Sequence, residues 1–208
     1  MLIFDIGANV GAWALANLTP TTTIISVEAS PITFQQLKAK VAREPKIVPL
    51  NFAVCQSETP TITFYHCTAA GTISTLDKDW LSSPESRFGN YRTSIQEVTV
   101  PTKSIDALIA EYGMPDILKI DVEGAEHLVL QSLSIKVPLL CFEWAAEWKE
   151  KNIACINRLL ELGFRQFAVQ YEDKYTWRPH EFSDDANSII SIFNTAVSKK
   201  EWGMIWAQ

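Results

Sequence analysis

Residues 4–17 read FDIGANVGAWALAN: an apolar start, then Asp5, Gly7, Asn9 and Gly11, then a run with few helix breakers. That order predicts a strand, a glycine-bearing turn and a helix over Val10–Leu18, the kind of unit that places a turn under a nucleotide. The alternation continues along the chain. Short apolar or β-branched runs at Leu2–Ile6, Thr23–Glu28, Ile47–Val54, Ile117–Asp121 and Pro138–Glu143 predict strands. Helical spacing at Pro31–Arg43, Ser104–Glu111 and Glu126–Leu133 predicts helices between several of them. Strands joined by helices of this length imply right-handed crossovers, hence an α/β fold with a doubly wound, mainly parallel sheet.

Two regions depart from the pattern. Residues 55–103 are rich in Thr, Ser and Pro, with strand-like pieces at Thr61–His66 and Ile95–Val100. A long loop through Leu81–Arg92 is expected to join them, and loops of that size commonly act as substrate lids. Toward the C-terminus the pattern predicts a helix over roughly 145–162 ending at Gly163, then a strand Phe164–Tyr171. A helix over Ser183–Val197 follows, with Ile189, Ile190, Phe193, Ala196 and Val197 on one face. Trp202–Ala207 would be a closing strand, weakened by Gly203. With no repeat and no low-complexity tract, residues 1–208 are expected to form a single domain.

The bulk composition narrows the partners. The 208 residues are 47% hydrophobic and 20% charged, ordinary for a globular protein, with a formal net charge of -6. That balance and the lack of a Lys/Arg cluster argue against nucleic acid and anionic membrane surfaces. No uncharged apolar run is long enough for a transmembrane helix, and Asp5 interrupts the first apolar stretch, so no signal peptide is expected. Cys55, Cys67, Cys141 and Cys155 show no C-x-x-C pairing and lie in or beside apolar segments. They read as reduced thiols of a cytoplasmic protein.

The first turn suggests a ligand. Gly7 and Gly11 stand at G-x-x-x-G spacing, which is neither the dinucleotide fingerprint nor a P-loop, since no Lys follows Gly11. Asp5 at the end of the first strand would repel a pyrophosphate. It suits a ligand carrying an ammonium, while N–H groups of the turn and helix would take a carboxylate. S-adenosylmethionine has both groups and a sulfonium that prefers a negative surround. Glu28, ending the second predicted strand, is placed to accept the hydroxyls of a ribose. Ribose is common to NAD and S-adenosylmethionine, so Asp5 makes the choice. The plainer alternative has Asp5 cap the first helix and Glu28 stand on the surface.

Residues 118–130, LKIDVEGAEHLVL, repeat the logic: an apolar strand, Asp121 and Glu123, Gly124, then a helix. Carboxylates there project into the crevice at the carboxyl ends of the strands. Glu126 is placed to favour the helix dipole and Glu123 to cap the helix.

DIGANVG, VEAS, NFAV followed by a strand and GTISTL, VPTKSID and LKIDVEGAE together resemble the FkbM family of S-adenosylmethionine-dependent methyltransferases, over about residues 3–144. The resemblance implies a Rossmann-like seven-stranded sheet whose last hairpin carries one antiparallel strand. It implies methyl transfer to a hydroxyl of a sugar, glycolipid or polyketide-type small molecule, with S-adenosylhomocysteine as product. By position, Asp5, Gly7, Asn9 and Gly11 would hold the methionine part and Glu28 the ribose. Ser30, Asn51 and Ala53 would lie near the adenosine, and Asp121 and Glu123 would border the methyl-transfer centre. Such proteins commonly carry helices before the first strand, where this chain starts on it. The cover of the acceptor site is then absent, shortened, or supplied by residues 67–95 or a second subunit, which leaves a homodimer open.

An alcohol acceptor needs a base or a metal. Asp121 and Glu123 are the leading bases, with Glu143 in LLCFEW supporting from the next strand; His66, His127 and His180 are weaker candidates. No histidine spacing supports a metal, so none is assigned. Mg²⁺ held by Asp121, Glu123 and Glu143 is the alternative. Trp144, Trp148 and Trp80 are core residues by default, and otherwise platforms for a sugar ring. Two other readings compete: an NAD-dependent oxidoreductase, which lacks its G-x-G-x-x-G, and a methyltransferase-like interaction module without catalysis.

Overall fold

A computed structural model of the chain describes residues 1–83, 86, 88–196 and 201–208. β1 (Leu2–Ile6) leads through α1 (Ala12–Asn17) to β2 (Thr23–Val27), and α2 (Pro31–Lys40) leads to β3 (Ile47–Leu50). β4 (Ala53–Val54), β5 (Thr61–Cys67), the short α3 (Lys78–Ser82) and β6 (Ile95–Lys103) follow. Next come α4 (Ile105–Tyr112), β7 (Ile117–Ile120), α5 (Glu126–Gln131) and β8 (Leu140–Ala145). The chain finishes with α6 (Lys149–Glu161), β9 (Phe167–Tyr171), α7 (Ala186–Thr195) and β10 (Trp202–Ala207).

Seven strands form one sheet in the order β3-β2-β1-β7-β8-β10-β9. β10 runs antiparallel to both neighbours, and the other pairs are parallel. The fold is therefore the Rossmann-like, doubly wound α/β sheet expected. The order reverses between β1 and β7, and the carboxyl ends of these strands frame the crevice where such sheets bind ligands. Alternate strand residues feed two cores. Ile3, Ile24 and Ile117 pack with Trp13, Ala14 and Leu37 of α1 and α2 on one face. Phe4, Ile25 and Leu118 pack with Leu108, Val129, Ile156 and Phe193 of α4 to α7 on the other. Burial on both faces explains why these strands read as continuous apolar runs.

Local chemistry sets the helix starts. Ser30 caps α2 by accepting from the Thr33 amide at 3.2 Å, and Pro31 follows at the first helical position. Ser104 and Asp185 cap α4 and α7 in the same way. Among the described residues no helix is long and apolar enough to cross a membrane.

Several expected boundaries move. Ile47–Val54 is not one strand: β3 stays in the main sheet, while β4 joins a small three-stranded sheet in the order β4-β6-β5. The break falls at Asn51, whose side-chain amide donates to the carbonyls of Glu28 and Ala29 and turns the chain over the end of β2. Of the loop expected at Leu81–Arg92, residues 81–82 end α3 and 89–92 belong to a 3-10 helix, Gly89–Ser94; Pro84, Glu85 and Arg87 lie outside the described residues. The helix expected from 145 starts at Lys149, because β8 pairs with β10 as far as Ala145 and a 3-10 turn intervenes. The strand expected from Phe164 starts at Phe167, and α7 ends at Thr195, with Val197 outside the described residues. Gly203 lies inside β10, opposite Trp144 and Tyr171.

Candidate active site

The crevice over β1, β2 and β7 opens into a pocket. One wall comes from Ile6, Gly7 and Asn9, another from Glu28 and Ala29, a third from Phe52, Ala53 and Val54, and a fourth from Asp121, Val122 and Glu123. Gly71, Thr72, Ser74 and Leu76 roof it.

Glu28 is buried where the pocket meets the end of β2. Its carboxylate accepts the Asn9 amide at 2.9 Å and the Ser30 amide at 2.8 Å. Burial raises its pKa to about 7, against the pull of those two amides. Each carboxylate oxygen has lone pairs beyond one N–H, so Glu28 can still accept hydroxyls from a ligand.

Asp5 occupies a different place from the one expected. In register it stands between Ser26 on β2 and Lys119 on β7. It is fully buried, it is not on the pocket wall, and its Oδ1 lies 3.1 Å from Lys119 Nζ. The same ammonium lies 3.1 Å from Asp121 Oδ2 and donates to the Gly7 carbonyl at 3.3 Å. Burial works against the charged lysine, yet Asp121 and Asp5 outweigh it and hold Lys119 above the ordinary lysine range. Asp5 is itself raised by burial despite Lys119. Lys119 is the main residue missed in sequence. The signal was present in L-K-I-D, a lysine inside an apolar strand, which folds only if paired.

The turn after β1 also spends its donors internally. The Gly7 and Ala8 amides donate to the Val27 carbonyl, the Asn9 amide to Glu28 and the Gly11 amide to Ala8. The amides of residues 7, 8, 9 and 11 are therefore taken, which leaves the carboxylate expected at this turn to the other N–H groups of the turn and of the start of α1. The protein itself requires the glycine at position 7: φ is 79°, and an added Cβ would stand 1.7 Å from the Asp121 carbonyl oxygen. Gly11 likewise sits against Leu37 of α2 and off the pocket wall. Ser30 and Asn51 lie behind the wall, the first engaged as helix cap and the second with the Glu28 and Ala29 carbonyls; Ala53 is on it.

Asp121 and Glu123 after β7 and Glu143 on β8 are brought together, one carboxylate oxygen of each lying within 4.8 Å of the others. Asp121 and Glu123 line the pocket, and Glu143 is buried. The trio has the oxygen donors for a hard cation and equally the layout of a base with an acidic neighbour. Glu123 adopts a left-handed φ of 56°, unusual for a non-glycine residue, and Gly124 follows at 87°. Glu123 does not cap α5. Instead Glu126 folds back, its Oε1 accepting the Val122 amide at 2.9 Å and the Gly124 amide at 3.3 Å. Burial raises Glu126 to about 7, those amides lower it, and Asp121 raises it further. Glu126 thus organises the turn, beyond any effect on the helix dipole.

The remaining candidates lie elsewhere. His66 is buried, its Nδ1 sharing hydrogen bonds with Ser30 Oγ at 3.0 Å and Ser74 Oγ at 3.2 Å, so it braces the pocket from behind. His127 is half-buried on α5 and His180 is exposed. Trp144 is fully buried against Tyr171 and Phe193, so it offers no face to a sugar. Trp148 and Trp80 meet edge to face at 5.1 Å, and Trp80 Nε1 donates to Glu147 at 3.0 Å. They anchor the 67–95 segment: Cys67, Ile73, Trp80 and Leu81 share an apolar cluster with Ala145 and Trp148.

Three comparisons bear on this arrangement. The chain is 28% identical over 137 residues to the hexuronic acid methyltransferase AglP of Haloferax volcanii, covering 64% of this chain and 50% of that protein. It thus spans about half the length of the curated relative it matches. Among solved structures, fibrillarin of Aeropyrum pernix in complex with S-adenosyl-L-methionine superposes with a TM-score of 0.49 at 14% identity, covering 100% of this chain and 65% of that one. Precorrin-6y C5,15-methyltransferase of Geobacter metallireducens gives 0.47 at 11% identity, covering 100% and 78%. The family described as Methyltransferase FkbM domain matches residues 5–166. That match takes in the greater part of the chain, including both turns and all three clustered acids, and the chain belongs to the FkbM family of S-adenosylmethionine-dependent methyltransferases.

Proposed function

We propose that the chain is an O-methyltransferase acting on a hydroxyl of a sugar or related small molecule, a hexuronic acid being the first acceptor to try given the relative's name. The observation that carries this reading is the meeting of Asp121, Glu123 and Glu143 beside a pocket that Glu28 also lines. When bound, S-adenosylmethionine supplies an activated methyl group and leaves as S-adenosylhomocysteine. Glu28 accepts the ribose hydroxyls, and Phe52, Ala53 and Val54 give the adenine an apolar wall. Asp121, on the pocket wall and beside Lys119, takes the ammonium role expected of Asp5. That leaves Glu123 as the base. It takes the acceptor hydroxyl proton as oxygen approaches the methyl carbon, within about 3–3.5 Å. Glu143 supports it from β8, with a carboxylate oxygen within 4.8 Å of one on Glu123.

The test is methyl transfer from radiolabelled donor to glucuronic acid, galacturonic acid and neutral sugars, together with calorimetric titration of S-adenosylhomocysteine and NAD⁺. Glu123→Gln is expected to lower kcat by about 10²–10⁴ while leaving donor affinity nearly unchanged. Glu28→Ala is expected to weaken S-adenosylhomocysteine by about tenfold or more through lost hydrogen bonds to a charged acceptor. Full turnover by Glu123→Gln would remove Glu123 as base, and a chain that bound only NAD⁺ would remove the donor reading.

A further inference from the structure

We infer that Thr75 is a positioning residue that latches the roof of the donor pocket onto the turn carrying Glu123; its part in turnover rests on the methyl-transfer reading above. Gly71, Thr72, Ser74 and Leu76 face the pocket. Thr75, between them, is fully buried, and its hydroxyl donates to the Glu123 carbonyl at 2.7 Å while accepting the Asp77 amide at 3.0 Å. Backbone bonds in both directions with Tyr65 pin Thr75 to β5.

Glu123 needs such a partner. A left-handed non-glycine residue persists only where its surroundings over-determine it. Glu126 holds the turn by its N–H groups, those of Val122 and Gly124. Thr75 holds it by the carbonyl of Glu123 itself, and it alone of the two belongs to the roof. The roof's other end is tied to the ribose side through Ser74, His66 and Ser30, the last donating its amide to Glu28. One segment therefore lines the donor pocket, is linked to Glu28 through His66 and Ser30, and bonds the backbone of the proposed base. A roof in place then sets Glu123 in its working orientation.

The experiment compares Thr75→Val, Thr75→Ser and wild type by hydrogen–deuterium exchange over residues 121–130, with and without S-adenosylhomocysteine, alongside calorimetry and steady-state kinetics. Thr75→Val loses the bond to the Glu123 carbonyl along with that from the Asp77 amide, and should speed exchange at 122–126 by about five- to tenfold, with Thr75→Ser near wild type. Thr75→Val should lower kcat by about tenfold, with S-adenosylhomocysteine affinity and acceptor KM each within about threefold. Thr75→Ala replaces the valine variant if that one does not fold. Wild-type exchange rates at 122–126 in the variant, no rescue by serine, or equal losses in kcat and donor affinity would each overturn the latch. A wild-type chain that binds no S-adenosylhomocysteine would overturn the donor reading instead, and exchange without ligand would still decide the latch.

Discussion

β1 closes on Asp5-Ile6 and is followed by Gly7, whereas β7 is followed by Asp121-Val122-Glu123-Gly124. Both turns place residues in the left-handed region, Gly7, Asn9 and Gly11 in the first, Glu123 and Gly124 in the second. The first borders the pocket with Gly7 and Asn9 but spends its charge and several of its donors on the protein. Its aspartate is buried on a lysine, and the amides of residues 7, 8, 9 and 11 go to protein acceptors. The second stays chemically available: Asp121 keeps 24% of its side chain exposed, and both Asp121 and Glu123 border the pocket. A short acidic–glycine motif therefore does not say by itself whether it binds a ligand or builds a frame. Lys119, lying between the two aspartates, makes the first turn the frame of the second.

The contrast is broken most directly at that lysine. Lys119→Met would leave two carboxylates without their cation, and removing one partner of a buried ion pair costs about 3–5 kcal/mol. Urea denaturation should show that loss, with part of it recovered in Asp5→Asn/Lys119→Met. A change below about 1 kcal/mol would mean Asp5 is held without Lys119 and the frame has another origin.

The glycines sharpen the same contrast. Gly7→Ala drives a Cβ into backbone, the Asp121 carbonyl, whereas Gly124→Ala meets the Trp148 side chain at 3.0 Å. Both carry the left-handed strain of about 1–2 kcal/mol, so Gly7→Ala should lose about 3 kcal/mol or more and Gly124→Ala less. Equal thermal shifts in the two variants would show that the backbone contact at Gly7 relaxes freely.

The smallest effect is a pH dependence at Glu28. Its carboxyl is ordinarily near 4.5 and about 7 in the folded chain. Below 4.5 it is protonated in both states and its contribution is fully present; as pH rises from 4.5 to 7 the unfolded state ionises first and folding stability falls. Glu126, raised to about 7, and Asp173, raised to about 6 by burial, act in the same direction. Wild type should lose about 1–3 kcal/mol more than Glu28→Gln between pH 5 and 8, read from denaturation midpoints. Parallel profiles would mean Glu28 is solvated enough to keep an ordinary pKa.

Much of the sheet was legible in local pattern. Leu2–Ile6 and Trp202–Ala207 coincide with strands to the residue, because apolar and β-branched runs bounded by turn residues report burial directly. Glu28 was legible from its place at a strand end, and the three acids from theirs. Trp144 was ambiguous, because an aromatic residue past a strand reads the same whether it faces core or crevice, and the pairing of Ala145 with Trp202 put it inside.

Short-range order, then, was enough to name most of the elements and the acids near their ends, though not α3 or the split of β3 from β4, since alternation and spacing act over a few residues. Which acid is neutralised, which glycine answers to backbone, and that Thr75 holds Glu123 depend on the register of strands and loops far apart in the chain. Those contacts exist only once the sheet has assembled, because a buried charge or a left-handed residue is tolerated only where distant partners meet it.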